Sequence, residues 1–94
     1  MKYYDWNDEK NIILRKERNI SFEDIVAAIR NVKLLGIVEH SNSKKYPNQK
    51  MFIVELDNYA HIVPFVEDSE KYFLKTIYPS RGATKIYLSK EKPK

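Results

Sequence analysis

Cysteine does not occur in this 94-residue chain, and glycine occurs only twice. Without cysteine there are no disulfides and no thiolate metal site, as is typical of proteins from a reducing cytoplasm. Two glycines do not build the glycine-rich loops that bind dinucleotides, and neither a zinc-ligand spacing nor a Gly-x-Ser-x-Gly elbow occurs. No apolar run approaches the roughly 20 residues of a membrane span, and the acidic N-terminal stretch lacks a signal-peptide pattern. The sequence thus predicts a cytoplasmic protein with no membrane contact, metal or cofactor.

The length of the chain limits the number of domains, and its net charge limits the class of binding partner. Ninety-four residues make one domain, residues 1–94, that buries roughly 60–65 per cent of its chain surface. The formal net charge is +4, a balance that favours polyanions as partners. Many soluble domains without such a partner carry the same balance, so charge alone does not decide the function.

Two helices are predicted at the N-terminal end, over residues 5–18 and 22–32. The second is the clearer, because its apolar residues recur at the spacing of one helical face. They are Phe22, Ile25, Val26 and Ile29. The first has only a thin apolar stripe, which consists of Trp6, Ile13 and Leu14.

A tight corner is predicted between these helices. Ser21 is placed to cap the second helix through a variant of the capping box, with Asp24 at the third helical position. Asn19 tolerates the left-handed conformation that ends a helix. The local chemistry therefore predicts a helix-turn-helix corner at residues 15–24.

The rest of the chain is predicted to be mainly strands joined by turns. Residues 34–40, 51–56, 59–66 and 71–78 are the predicted strands, 41–49 a polar loop, and 81–88 a short helix capped by Ser80. Short turns require antiparallel neighbours, so the fold class is predicted as α+β with a four-stranded antiparallel sheet. Pro64 indicates an edge position or a bulge in the third strand. Residues 89–94 are expected to be a frayed tail.

Two stretches resemble the BrnT family of bacterial toxins. The opening, residues 5–11 followed by 15–24, is similar to that family's Trp-Asp and Lys-Asn pairs followed by Arg-Lys-His-Gly-Val-Ser-Phe-Glu-Glu. Residues 77–85 resemble its strand exit, usually Ser-Ala-Arg-Arg-Ala-Thr. The order of strands between the two also agrees, so the likeness spans about residues 5–88. The family's glycine in the corner is Asn19 here, and its second arginine before Ala-Thr is Gly82.

The resemblance implies a compact RelE-like ribonuclease, the toxin of a type II toxin–antitoxin pair. The partner that it implies is a DNA-binding antitoxin, expected to be of the ribbon-helix-helix type. Gly82 removes one cation from the implied site, which leaves an inactive relative as a further hypothesis.

Metal-independent RNA cleavage needs a base for the 2′-hydroxyl, cations for the phosphate and an acid for the leaving oxygen. Arg81 is the predicted phosphate clamp, since its planar fork fits phosphate oxygens and Ser80 places it at a helix N-terminus. Tyr78, beside it, is the predicted proton donor. Lys75 interrupts the apolar fourth strand on the face of Phe73 and Ile77, so it either lines a groove or snorkels at the sheet edge.

The candidate bases are less clearly marked. Glu67 either acts as a base, or orients Arg81, or is an ordinary turn carboxylate. His40 precedes the basic loop and is the histidine better suited to acid–base work. His61 alternates with apolar residues on a strand, which favours a structural role.

The loop after the first strand supplies the predicted RNA-binding residues. Lys44, Lys45 and Lys50 provide cations, and Tyr46 provides an aromatic face for stacking a base. The alternative function is a non-catalytic RNA- or protein-binding module that uses this basic face.

Overall fold

The computed structural model describes residues 2–39, 44–45 and 49–88. Within them the chain forms three helices and six strands in the following order: β1 (Tyr3–Trp6), α1 (Asp8–Arg18), α2 (Phe22–Arg30), β2 (Leu34–Glu39), β3 (Gln49–Leu56), β4 (Tyr59–Glu67), β5 (Lys71–Leu74), β6 (Tyr78–Pro79) and α3 (Arg81–Leu88). The strands make one mixed sheet in the order β1-β5-β4-β3-β2, with β6 beside β4. The α+β class is confirmed, whereas the predicted sheet of four antiparallel strands differs from this arrangement. The predicted frayed tail lies outside the described residues.

The corner between α1 and α2 forms as predicted. The Asp24 amide donates to Ser21 Oγ at 3.1 Å, and the Ser21 amide donates to Asp24 Oδ2 at 3.0 Å. Asn19 ends α1 in the left-handed conformation with φ 55°. These bonds satisfy amides that a helix start otherwise leaves unpaired, so local chemistry holds the corner.

Asn11 adds a contact across this corner that the sequence pattern did not indicate. Its side chain is buried, accepts the Phe22 amide at 2.8 Å and donates to Glu23 Oε1 at 2.8 Å. The hydrogen bond from Asn11 is the main reason that the pKa of Glu23 lies below its usual range. One polar side chain thus joins α1 to the first turn of α2.

The predicted start of the first helix at residue 5 is wrong. Asn7 caps α1 by accepting the Lys10 amide at 3.0 Å, and the residues before it form β1. β1 pairs in parallel with β5, from Tyr3 beside Lys71 to Trp6 beside Leu74. A four-residue strand has too few alternations to show a period of two in the sequence.

The aromatic side chains of β1 explain why it joins the sheet. Trp6 stacks on Phe22 with ring centres 5.6 Å apart, and Tyr4 stacks on Tyr72 at 5.3 Å. Alternate residues of a strand point to the same face, so both rings lie on the side of the sheet that α1 and α2 cover. Ile13, predicted to be in the apolar stripe of the first helix, is exposed instead.

α2 ends two residues before the predicted limit of 32. The Lys33 amide donates to the Ala28 carbonyl at 2.9 Å and the Val32 amide to the Ile29 carbonyl at 3.2 Å. These are the two bonds of a Schellman motif. Val32 occupies the left-handed position of that motif with φ 63°, where glycine is usual.

The turn at Asp57 and Asn58 is confirmed. Both residues have positive φ, 54° and 64°, as a type I′ turn requires, and β3 and β4 pair on either side from Leu56 beside Tyr59 to Gln49 beside Val66. β3 starts at Gln49, inside the predicted loop. Of the rest of that loop, only Lys44 and Lys45 lie within the described residues, in an exposed turn.

The predicted fourth strand, residues 71–78, is interrupted opposite Pro64. Phe65 pairs with Leu74 and Ile62 with Tyr78, so three residues, 75–77, oppose only two on β4. The Lys75 amide donates to the Pro64 carbonyl at 2.8 Å, but proline has no amide hydrogen to return the bond. Of the two predictions for Pro64, the irregular pairing is confirmed and the edge position is wrong, because β4 is paired on both sides.

Helices cover the sheet on both faces. The larger core cluster joins α1 and α2 to one face and contains the fully buried Phe22, Ile25, Phe65 and Ile77. A smaller cluster joins α3 to the other face through Ala83, Ile53 and Ala60. The predicted apolar face of α2 is confirmed by the burial of Phe22, Ile25 and Val26.

Candidate functional site

The segment between β5 and α3, residues 75–81, carries three of the predicted site residues: Lys75, Tyr78 and Arg81. The Ser80 amide anchors it to β4 by donating to the Ala60 carbonyl at 3.0 Å. Ser80 Oγ accepts the Ala83 amide at 3.0 Å and caps α3, as the sequence predicted. Because the Lys75 amide also bonds the Pro64 carbonyl, the backbone of this segment is anchored at both ends, while its three candidate side chains are exposed.

Lys75 does not lie within an apolar strand. β5 ends at Leu74, and Lys75 is the first residue of the interruption and is exposed. Ile77, which was predicted to share its face, is fully buried in the core with Leu74. Because the irregular pairing turns Lys75 into solvent, its ammonium group carries no burial cost, and the predicted conflict between charge and strand disappears.

Arg81 is the first residue of α3 and is exposed. Among the described residues, neither Arg81 nor Lys75 makes an ion pair. Tyr78 lies between them in the sequence, on β6, with 38% of its surface exposed. The segment thus presents two cations and a phenol, the groups that bind and protonate a phosphate ester.

Glu67 lies at the far end of β4 from this segment. Tyr78 pairs with Ile62, five residues before Glu67, which is about 17 Å along a strand. The Glu67 carboxylate accepts a hydrogen bond from Lys2, and Lys50 Nζ lies 3.7 Å from its other oxygen. The Lys2 hydrogen bond and both lysine charges hold the pKa of Glu67 below its ordinary range. The structure therefore does not bring Glu67 to Arg81, and a direct orienting contact between them is not formed.

The predicted RNA-binding residues lie toward the Glu67 end of the sheet or in the loop beyond it. Lys50 is on β3, beside Phe65 of β4. Lys44 and Lys45 are exposed in their turn. His40 and Tyr46 lie outside the described residues.

His61, assigned a structural role from the sequence, lines a wide cleft. This cleft has a volume of about 580 Å³ and lies between the α1–α2 corner and the β3–β4 hairpin. A neighbouring cavity of about 360 Å³ shares Arg18, Ile20 and His61 with it, and is closed by Ile77 and Pro79. Alternation along a strand gave no signal for this cleft, since it forms only when α1 packs over the sheet.

Burial, one hydrogen bond and a nearby charge determine the protonation state of His61. Its Nδ1 lies 3.1 Å from the Tyr59 carbonyl oxygen. Burial lowers the pKa of His61 below its ordinary value, although the Tyr59 carbonyl and the Asp57 charge act in the opposite direction. His61 is therefore neutral at pH 7 and suited to accept a proton.

Comparisons with protein-family models, with curated proteins and with solved structures find no match for this chain.

Two further findings concern residues 2–39, 44–45 and 49–88. No helix there is long and apolar enough to cross a membrane. No group of three or more histidine and carboxylate side chains is arranged there to hold a metal ion.

Proposed function

We propose that this protein is a metal-independent endoribonuclease, the toxin of a type II toxin–antitoxin pair with a RelE-like fold. The observation that carries the proposal is the 75–81 segment. Its backbone is anchored to β4 by hydrogen bonds, and it exposes Tyr78 together with Lys75 and Arg81, two cations that make no ion pair within the described part of the chain. The resemblance of residues 5–24 and 77–85 to the BrnT family supports the same function.

The segment supplies two of the three requirements of the reaction. Arg81 binds phosphate oxygens through its planar fork, Lys75 offsets the charge that develops on the phosphate, and Tyr78 protonates the leaving oxygen. It contains no base for the 2′-hydroxyl. Glu67 is too far along β4 to serve there, and it is already engaged by Lys2 and Lys50.

The decisive experiment is incubation of the purified protein with RNA in excess EDTA. The proposal expects cleavage that EDTA does not suppress and that leaves 2′,3′-cyclic phosphate ends. Intact RNA after prolonged incubation at several pH values would refute it.

Arg81→Lys tests the phosphate clamp. We expect this variant to lose most of the cleavage, because lysine keeps the charge but lacks the planar fork. Arg30→Lys is the matched control, since Arg30 is exposed in the last turn of α2, away from the segment. Equal rates for Arg81→Lys and the parent protein would remove Arg81 from the site.

Salt dependence tests the basic surface. For a single strand, binding should weaken by roughly 0.7 log unit per log unit of salt for each phosphate neutralised. Replacing Lys44 and Lys45 together by glutamine should flatten that slope while slow cleavage persists. A slope near zero in the parent protein would contradict RNA binding.

One observation favours the alternative, an RNA-binding module without catalysis. The only carboxylate proposed as a base, Glu67, is held as an ion pair about 17 Å along β4 from the residue that pairs with Tyr78. This alternative predicts the same salt slope with intact RNA, so the EDTA incubation separates the two functions.

The proposed partner is a DNA-binding antitoxin of the ribbon-helix-helix type. α3 offers an apolar contact to such a partner, because Ile86 is 78% exposed. A small ribbon-helix-helix protein encoded beside this gene, and its suppression of the toxicity of this chain, would support the pair. Normal growth on induction of this chain alone would count against it.

A further inference from the structure

The cavity of about 360 Å³ beside β6 has the composition of a binding site for a small ligand group. Its walls are apolar, formed by Ile20, Ile77 and Pro79, and its two polar side chains are Arg18 and His61. Apolar walls with a few convergent polar groups are typical of ligand sites of this volume.

Arg18 is exposed at the end of α1, and one hydrogen bond ties it to the core. One guanidinium nitrogen donates to the Ile77 carbonyl at 2.8 Å, and Ile77 is itself fully buried. Guanidinium has five donors in a fixed plane, so the remaining donors are oriented but not consumed by this bond. A phosphate is the kind of acceptor that such a fork fits.

The tautomer of His61 follows from its hydrogen bond. A carbonyl oxygen only accepts, so Nδ1 must carry the proton that it donates to Tyr59. In the neutral ring, Nε2 then has a free lone pair. His61, which lines the cavity together with Arg18, therefore offers an acceptor for a hydroxyl proton.

The cavity lies next to the 75–81 segment, because His61 is on the strand that pairs with β6. His61 pairs directly with Pro79, and Ile62 pairs with Tyr78. In the described part of the chain β6 has no strand on its other side. A single strand of RNA that crosses this free edge meets His61 on one face of the sheet and Tyr78 on the other, because neighbouring residues of a strand point to opposite faces.

We propose that His61 is the general base of the ribonuclease reaction and that Arg18 binds the phosphate next to the reacting 2′-hydroxyl. This inference rests on the proposed function and supplies the base that the 75–81 segment lacks. His61 Nε2 takes the 2′-hydroxyl proton, the 2′ oxygen forms a bond to phosphorus, and the bond from phosphorus to the 5′ oxygen breaks. Because Tyr78 lies on the other face of the sheet, water protonates the leaving 5′ oxygen at this cavity, and the products are a 2′,3′-cyclic phosphate and a 5′-hydroxyl.

Several charges surround His61 and enter its titration. Arg18 approaches from the end of α1, and the others line the adjoining cleft of about 580 Å³: Asp24, Lys33, Glu55 and Asp57. Three of these five groups are acidic and repel the phosphates of RNA. Bound RNA therefore needs the contact with Arg18 to remain close to the cavity.

The first test is the rate of RNA cleavage as a function of pH. The parent protein should lose activity on the acid side as His61 becomes protonated below its ordinary pKa of 6.5. His61→Gln should be slower by about 100-fold or more, the usual contribution of a general base, and should lose the acid limb. Glu17→Gln, on the exposed side of α1, should keep the parent profile.

The second test does not depend on activity. Uridine 3′-monophosphate is added to the 13C-labelled protein, and the ring signals of its two histidines are followed by NMR, with His61→Gln used for assignment. We expect the His61 signals to shift and its pKa to rise beside the phosphate. Arg18→Lys should weaken this binding several-fold while a thermal melt shows that the protein remains folded.

The outcomes separate the two proposals. A parent protein that leaves RNA intact overturns the proposed function together with the role of His61 as a base. A parent protein that cleaves RNA, with a His61→Gln variant that cleaves equally well, overturns the His61 assignment alone. Unchanged His61 signals at millimolar nucleotide overturn the Arg18 phosphate site.

Discussion

Replacing Val32 by glycine should make the protein more stable. Val32 is the left-handed residue of the Schellman motif that ends α2, with φ 63°, and its side chain is 89% exposed. A left-handed conformation costs a residue other than glycine roughly 1–2 kcal/mol, and branching at Cβ places valine at the upper end. The exposed side chain contributes little burial that could be lost.

The expected net gain is smaller than the strain. Glycine increases the conformational freedom of the unfolded chain, which costs about 0.4–1 kcal/mol of stability. We therefore expect Val32→Gly to raise the free energy of unfolding by about 1 kcal/mol, or the Tm by roughly 4–8 °C for a domain of this size. Urea denaturation followed by circular dichroism, supported by a thermal melt, measures both quantities.

A matched control is a glycine substitution that should change the stability in the opposite direction. Ala27 is exposed on α2 with helical geometry, so Ala27→Gly should destabilise the protein by about 1 kcal/mol. If Val32→Gly were also destabilising, the left-handed strain at this position would not exist in solution, and the Schellman geometry would be refuted.

Three further predictions concern stability. Asn11→Ala should cost about 2 kcal/mol in urea denaturation, because it leaves the buried Phe22 amide without its acceptor. Ser21→Ala should cost roughly 1 kcal/mol by removing the α2 cap, with the rate of cleavage unchanged well below the Tm. Since the folded pKa of Glu67 is lowered by Lys2, its contribution is full above the ordinary pKa of 4.5 and is lost as pH falls through the lowered value. Glu67→Gln should therefore flatten the acid side of the stability profile.

Each of these has a result that contradicts it. An Asn11→Ala protein as stable as the parent would mean that water replaces the lost acceptor. Loss of cleavage with an unchanged melt in Ser21→Ala would make Ser21 part of the chemistry. An identical acid profile for Glu67→Gln and the parent would show that the ion pairs with Lys2 and Lys50 do not persist in solution.

Elements that are specified by their neighbours in sequence could be predicted. The Ser21 and Asp24 capping box, the Asp57 and Asn58 turn, and the Ser80 cap all depend on side chains within a few residues of the backbone that they fix. Each of them formed as the sequence indicated.

Features that depend on distant partners could not be predicted. β1 exists because it meets β5, 68 positions later, and the 75–77 irregularity exists because Pro64 lies opposite. The cleft at His61 is lined by Arg18 from α1, and that side chain reaches the Ile77 carbonyl. No local pattern encodes these encounters, so the sequence predicted the Ser80 cap of α3 but not the cleft beside His61.

The parallel pairing of β1 with β5 also bears on the order in which the molecule assembles. Tyr3 meets Lys71, so β1 closes a loop that contains most of the domain, whereas β3 and β4 join through a two-residue turn. Contacts with such a long separation form late in folding. They also break first when the fold opens, because breaking them regains the entropy that loop closure cost. Amide hydrogens of β1 should therefore exchange with solvent well before those of β3 and β4. Because Asn7 caps α1 directly after Trp6, early opening of β1 would loosen the start of that helix, while the hairpin that carries His61 stays intact.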